Sequence, residues 1–133
     1  MGSAALGVKN GSQWSHDLDN PANKQFVEAF RKAYGRTPTL YASQGYDAAR
    51  LIGSALKKVN GDVSKTEALR KALKEADFDS VRAKFSFSAN QHPIQDLYIR
   101  EVVQNEAGEY TNKTLKAVFT DHANVYVEQC KMP

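Results

Sequence analysis

The hydrophobic period of this chain changes once, near Val81, and that change restricts its architecture more than any other feature. Before it, apolar residues recur at three- and four-residue intervals, the spacing of helix faces. After it they alternate: Val81, Ala83, Phe85 and Phe87 are interleaved with Arg82, Lys84, Ser86 and Ser88, the pattern of a strand with one wet face. Leu97, Ile99 and Glu101 then alternate with Tyr98, Arg100 and Val102, and Leu115, Ala117 and Phe119 alternate in a third strand. Ahead of the helices, Ala4 to Val8 reads as a short buried strand bounded by Gly2 and by the polar Asn10, Gly11 and Ser12. The order is one strand, three helices and a three-strand meander. A self-contained doubly wound sheet would alternate its elements, so the succession predicts an α/β domain cut from something larger.

The helices carry local signals. Asn20 followed by Pro21 predicts a helix start, because Asn caps free amides and proline gives up no needed donor at the first helical position. Phe26, Val27, Phe30 and Tyr34 mark its buried face, and Gly35 its stop. Pro38 makes Arg36 to Leu40 an extended connector. A second helix opens near Ala42 to Tyr46, with Gly45, Ala49, Ile52, Leu56 and Val59 on one stripe and Gly61 as terminator. Ser64 to Glu67 spells a capping box for a third helix running to about Ala76. Turn residues at Ala89 to Pro93 and Asn105 to Glu109 separate the later strands, and Asp121 is expected to cap a short final helix.

Charge and composition exclude several classes. Eighteen Lys and Arg stand against fifteen Asp and Glu, a scattered excess too small to track a phosphate backbone, so no nucleic-acid partner is expected. A single cysteine, Cys130, permits neither an internal disulfide nor a thiolate metal site. Apolar runs fall short of the roughly 18 residues a membrane helix needs. Met1 to Gly7 lacks the features of a secretory signal, so any signal of an exported parent is expected outside this chain.

Motifs for phosphate loops, dinucleotide binding, zinc proteases and nucleophile elbows are missing, and no cofactor is implied. His16, Asp17 and Asp19 lie in a polar loop where such residues shape turns. His92 has no nucleophile placed beside it, and Cys130 no basic neighbour to activate it. Two places invite a ligand. Tyr41 to Asp47 (YASQGYD) gathers aromatic, amide and hydroxyl groups at a helix start, where free amides attract carboxylates. Trp14 stands in a loop, suited either to covering a ligand or to plugging the edge of a small core.

The stretch DLDNPANKQFVEAFRKAYGRTPTLYASQGYDAARLIGSAL, Asp17 to Leu56, closely resembles the solute-binding proteins of branched-chain-amino-acid-type ABC importers. FDSVRAKFSFSANQHPIQDLYIREVVQ, Phe78 to Gln104, resembles the C-terminal part of the same family, particularly its aromatic-acid branch. The resemblance implies a type I periplasmic-binding fold, in which two α/β lobes joined by crossing strands close on a ligand. It implies that this chain is the C-terminal portion of such a protein, with residues 1–36 and 80–133 in the C-terminal lobe and helices of residues 41–76 packing on an N-terminal lobe. It implies no catalysis. It places Tyr46 near the ligand on the hinge side, with Gln44 and Asp47 as neighbours and Trp14 lining the cleft. The implied ligand is a branched-chain amino acid or an aromatic acid, the implied partner an ABC permease, and the implied location of the full-length parent the periplasm. Helices without their sheet leave an apolar stripe open, so self-association as a homo-oligomer or domain-swapped dimer is also expected. A stand-alone, self-associating interaction domain with no ligand is the alternative reading.

Overall fold

A computed structural model describes residues 2–130. Met1 and residues 131–133 of the lobe ranges above lie outside the described residues. Four strands and three helices follow in the order β1 (Lys9–Ser12), α1 (Pro21–Tyr34), α2 (Leu40–Lys58), α3 (Thr66–Glu75), β2 (Ser86–Phe87), β3 (Pro93–Gln104) and β4 (Tyr110–His122). β3 is the hub of the sheet. It pairs antiparallel with β1 through Ser12↔Tyr98 to Lys9↔Glu101, with β2 at Phe87↔Pro93, and with β4 along almost its whole length.

α1 forms as its sequence dictates. Asn20 accepts from the Asn23 amide at 2.8 Å, Pro21 occupies the first turn, and Gly35 at φ 65° returns its N–H to the Arg31 carbonyl at 2.8 Å. α2 starts at Leu40, slightly ahead of the sequence expectation, because Thr39 accepts from the Ala42 amide. It ends as expected at Gly61, whose N–H reaches the Leu56 carbonyl at 2.9 Å while the Asn60 N–H reaches Lys57 at 3.1 Å, the paired bonds of a Schellman stop.

Other expectations fail for physical reasons. Ala4 to Val8 is not a buried strand: Gly2–Ala5 is a 3-10 turn, and Leu6 and Val8 are exposed. The strand lies in the polar stretch beyond it, because Asn10 is bonded across the sheet to Arg100 and Asn112. The capping box does not form, since Asp62 takes both the amide and the hydroxyl of Ser64, and Lys65 stands at the N-cap. Asp121 caps no helix; it lies within β4, one residue before its end, at φ 49° with its amide on Asp96, and the final turn is a 3-10 segment, Val127–Gln129. Val81 and Arg82 lie in a buried turn, not a strand; Ala83 only bridges back to Ser80, and Ser86–Phe87 is the part of that alternation that pairs with β3. On α2 the expected stripe holds only at its end, where Val59 is buried with Ala55 beside it, whereas Ile52 is 52% exposed and the earlier turns bury Ser43 and Asp47.

The core is small. Trp14, Phe26, Val27 and Val81 are buried together, with Leu18, Phe30, Leu40, Ala42 and Tyr46 packed around them. A second patch joins α2 to α3 through the buried Ala55, Val59, Ala72 and Ala76. Asn23 ties the first core to its loop. Its side chain, fully buried, accepts from the Trp14 indole at 2.7 Å and donates to the carbonyls of Ser15, His16 and Leu18 at 3.1 to 3.2 Å.

Replacing Asn23 with Ala strands an indole N–H and several carbonyls in the core, so a loss of about 2–4 kcal/mol is expected in chemical denaturation. A change under about 1 kcal/mol would show that the loop finds its hydrogen bonds elsewhere.

Candidate functional site

Trp14 and Tyr46, far apart in sequence, meet on one phenylalanine. The Trp14 ring sits edge-on to Phe26 at 6.1 Å between centroids, and Tyr46 lies against the other part of Phe26 at 4.7 Å. α1 supplies Phe26, α2 supplies Tyr46, and the β1–α1 connector supplies Trp14, so the three rings form a joint between elements. The Trp14 indole is 2% exposed, whereas Tyr46 is half-buried and borders two grooves along α2.

Asp47, one residue on, points inward. Its carboxylate accepts from the Ser80 hydroxyl at 2.6 Å and the Val81 amide at 3.0 Å, and lies 3.6 Å from the Arg82 Nε. Arg82 donates to Gln95 at 2.8 Å and stacks over Phe85 at 5.3 Å. Both charges are almost wholly buried, and burial pulls the guanidinium below its usual value while Asp47 opposes the shift. Gln44 is half-buried on the preceding turn of α2.

A pocket of about 380 Å³ is lined by Trp14, which borders neither of the α2 grooves, and its volume is in the range that holds small ligands. Its walls carry Tyr41 and Tyr110 as aromatic surfaces, the hydroxyls of Thr37, Thr39 and Thr111, and the cationic or titratable Arg100 and His16. No Asp or Glu lines it, whereas the grooves along α2 and α3 carry Glu75, Asp77 and Asp79. Arg100 is fixed by Asn10 at 2.6 and 3.0 Å and by the Trp14 carbonyl at 2.9 Å. The His16 Nε2 lies 2.5 Å from the Thr111 hydroxyl, and Asp17 takes the Thr114 amide and hydroxyl at 2.8 and 2.7 Å, pinning the connector to β4. Burial holds His16 below its ordinary 6.5, Asp17 opposing and Arg31 and Arg100 reinforcing the shift. An arginine, aromatic walls and hydroxyl groups are chemistry that can retain a small carboxylate.

The structure thus sets Trp14 and Tyr46 against one phenylalanine but in different pockets, leaves Gln44 half-buried on α2 outside both, and buries Asp47 in a clip to the segment after α3. His16, Arg100, Thr111 and Tyr110 were not expected at a site from sequence. The pairing of His16 with Thr111 spans 95 residues, and no local spacing announces it.

Truncating Asp47 to Ala is expected to cost about 3–5 kcal/mol by leaving a buried guanidinium unpaired, and adding Arg82→Met should recover much of that loss in a double-mutant denaturation cycle. The His16 shift sets a second expectation. Between its depressed value and 6.5 the unfolded chain binds more protons than the folded one, so this contribution to stability is complete above 6.5 and is lost as pH falls through it. Denaturation midpoints measured from about pH 8 to about pH 5 should show this slope, and His16→Gln should flatten it.

Comparison with known proteins shows the family. A sequence model of a periplasmic binding protein family matches residues 1–109. Leu/Ile/Val-binding protein homolog 6 of Brucella abortus (strain 2308) is 32% identical over 119 residues, covering 87% of this chain and 30% of that protein. The crystal structure of an ABC transporter solute binding protein from R. palustris, in complex with benzoate, aligns with a TM-score of 0.87 at 35% identity, covering 98% of this chain and 35% of that one. A solute binding protein of an ABC transporter from Rhodopseudomonas palustris BisB5, in complex with 3,4-dihydroxy benzoic acid, aligns with a TM-score of 0.81 at 32% identity, covering 94% and 34%. The chain therefore spans about a third of the length of these relatives. With its mixed helix and sheet architecture, it belongs to the periplasmic binding proteins of type I fold, a family of non-catalytic solute-binding components of ABC transporters.

Proposed function

We propose that this chain is the C-terminal portion of a solute receptor that delivers a small carboxylate to an ABC permease in the periplasm. The observation that carries this reading is the pocket beside Trp14, which offers Arg100, His16 and three threonine hydroxyls with no carboxylate in its walls. Aromatic acids suit it best, since Tyr41 and Tyr110 flank the polar groups and solved relatives are complexes with benzoate and 3,4-dihydroxy benzoic acid. Branched-chain amino acids are the second ligand class, through the likeness to a Leu/Ile/Val-binding protein homologue.

In this reading the sheet, drawn from residues 9–12 and 86–122, belongs to one lobe, and α2 and α3 to the other. The Trp14–Phe26–Tyr46 stack lies where they join. Trp14 forms one wall of the pocket, and Tyr46 and Gln44 face the cleft from α2. Asp47 acts through position, because its oxygens are already occupied by Ser80, Val81 and Arg82. Ligand would favour closure only through contacts better made in the closed state.

A second reading, a self-associating domain with no ligand, draws on exposed apolar side chains: Ile52 on α2, Leu115 and Phe119 on β4, and Val125 and Tyr126 beyond it. Light scattering over a concentration series distinguishes it; growth in mass with concentration, together with no response to any carboxylate, favours that alternative.

Titrating benzoate, 3,4-dihydroxybenzoate and leucine into the chain by calorimetry tests the main reading. Tyr41 is 80% exposed, so Tyr41→Ala should leave the thermal midpoint unchanged and weaken aromatic-acid binding about three- to tenfold, the worth of one aromatic contact. Equal affinity in the variant and the parent chain would move the ligand out of this pocket.

A further inference from the structure

The inference here rests on the reading above, that the pocket beside Trp14 takes a carboxylate. His16 occupies one wall of that pocket and Arg100 another. The charged and titratable groups that face His16 are Asp17 from its own loop, Arg31 from α1 and Arg100 from β3, with Tyr41 of α2 and Tyr110 of β4 across the pocket. Two arginines oppose a positive imidazole. The one carboxylate that favours it, Asp17, already receives both donors of Thr114. A solute carboxylate would supply the negative charge that this arrangement lacks. The Thr111 hydroxyl, 2.5 Å from Nε2, donates to a neutral ring nitrogen and accepts from a protonated one, so the ring can change state without moving.

We propose that a carboxylate enters this pocket together with a proton taken up by His16, so that solute capture tightens as pH falls. The proton comes from solvent and no covalent bond to the solute forms. By linkage, the affinity rises between the His16 titration in the loaded chain and that in the empty one, and levels off below it. The solute itself stays ionised above about pH 5, so the dependence reports the imidazole. Empty, the pocket keeps His16 neutral near pH 7, since burial and the arginines push it down.

The test uses benzoate as probe on the full chain. Histidine ring resonances are followed from about pH 8 to about pH 5 with and without benzoate, and calorimetry in buffers of different ionisation enthalpy counts protons. Expected are an upward move of the His16 midpoint, net proton uptake, and a gain of about three- to tenfold in affinity toward the acid end. His16→Gln should abolish the uptake and identify the His16 signal against His92 and His122. Benzoate affinity that is flat with pH, with the His16 titration unmoved, overturns this inference and leaves the carboxylate site standing. Benzoate that perturbs Tyr46 and Phe78 but not His16 also overturns it, by placing the solute in the α2 groove. Absence of benzoate binding at every pH overturns both this inference and the site.

Discussion

A single buried amide organises this molecule. Asn23 lies on the first turns of α1, where Asn20 and Pro21 fix the helix, and from there it reaches back to the connector that precedes it. By accepting from Trp14 and donating to three carbonyls it makes an irregular loop as determinate as a strand. Buried polar groups are costly unless bonded, so satisfying four of them through one side chain fixes both the indole and the loop. The position of Trp14 then sets that of Phe26, Phe26 sets Tyr46, and the Trp14 carbonyl holds Arg100.

Charge is distributed with similar economy. Asp47 and Arg82 are buried where the segment after α3 returns to α2, and each has neutral partners besides the other, which makes such burial tolerable. In the pocket beside Trp14, Arg100 and His16 have no carboxylate in the wall. The Asp47–Arg82 pair finds most of its partners within the chain and closes the fold, while the pocket that carries Arg100 has no carboxylate in its wall. That asymmetry, in a chain of a solute-binding family, carries the functional reading.

Much of this was legible in the sequence, and the rest was not, for identifiable reasons. α1 and the end of α2 were readable because their signals, Asn20–Pro21, Gly35 and Gly61, act over a few residues. The family resemblance singled out Tyr46 on the hinge side and Trp14 at the cleft; their shared contact with Phe26, made across three elements, was not legible in local spacing. The first strand was misplaced because hydrophobicity pointed to Leu6 and Val8, whereas cross-sheet bonds from Asn10 to Arg100, 90 residues away, decide the pairing. The inward face of the first turns of α2 was misread because Ser43 and Asp47 are buried for their hydrogen bonds, a gain invisible to an apolar count, whereas Val59 at its end is buried as expected. His16 does lie in a turn, as its loop composition predicts; what the sequence did not show is that β3 and β4 bring Arg100 and Thr111 to it.

The central claim, that a carboxylate lies beside Trp14 between the connector, β3 and β4, is tested most directly by intermolecular NOEs between benzoate ring protons and the isotope-labelled chain. Contacts to Tyr41, Thr111 and Arg100 are predicted. Contacts confined to Gly53, Phe78 and neighbouring α2–α3 residues would contradict the account.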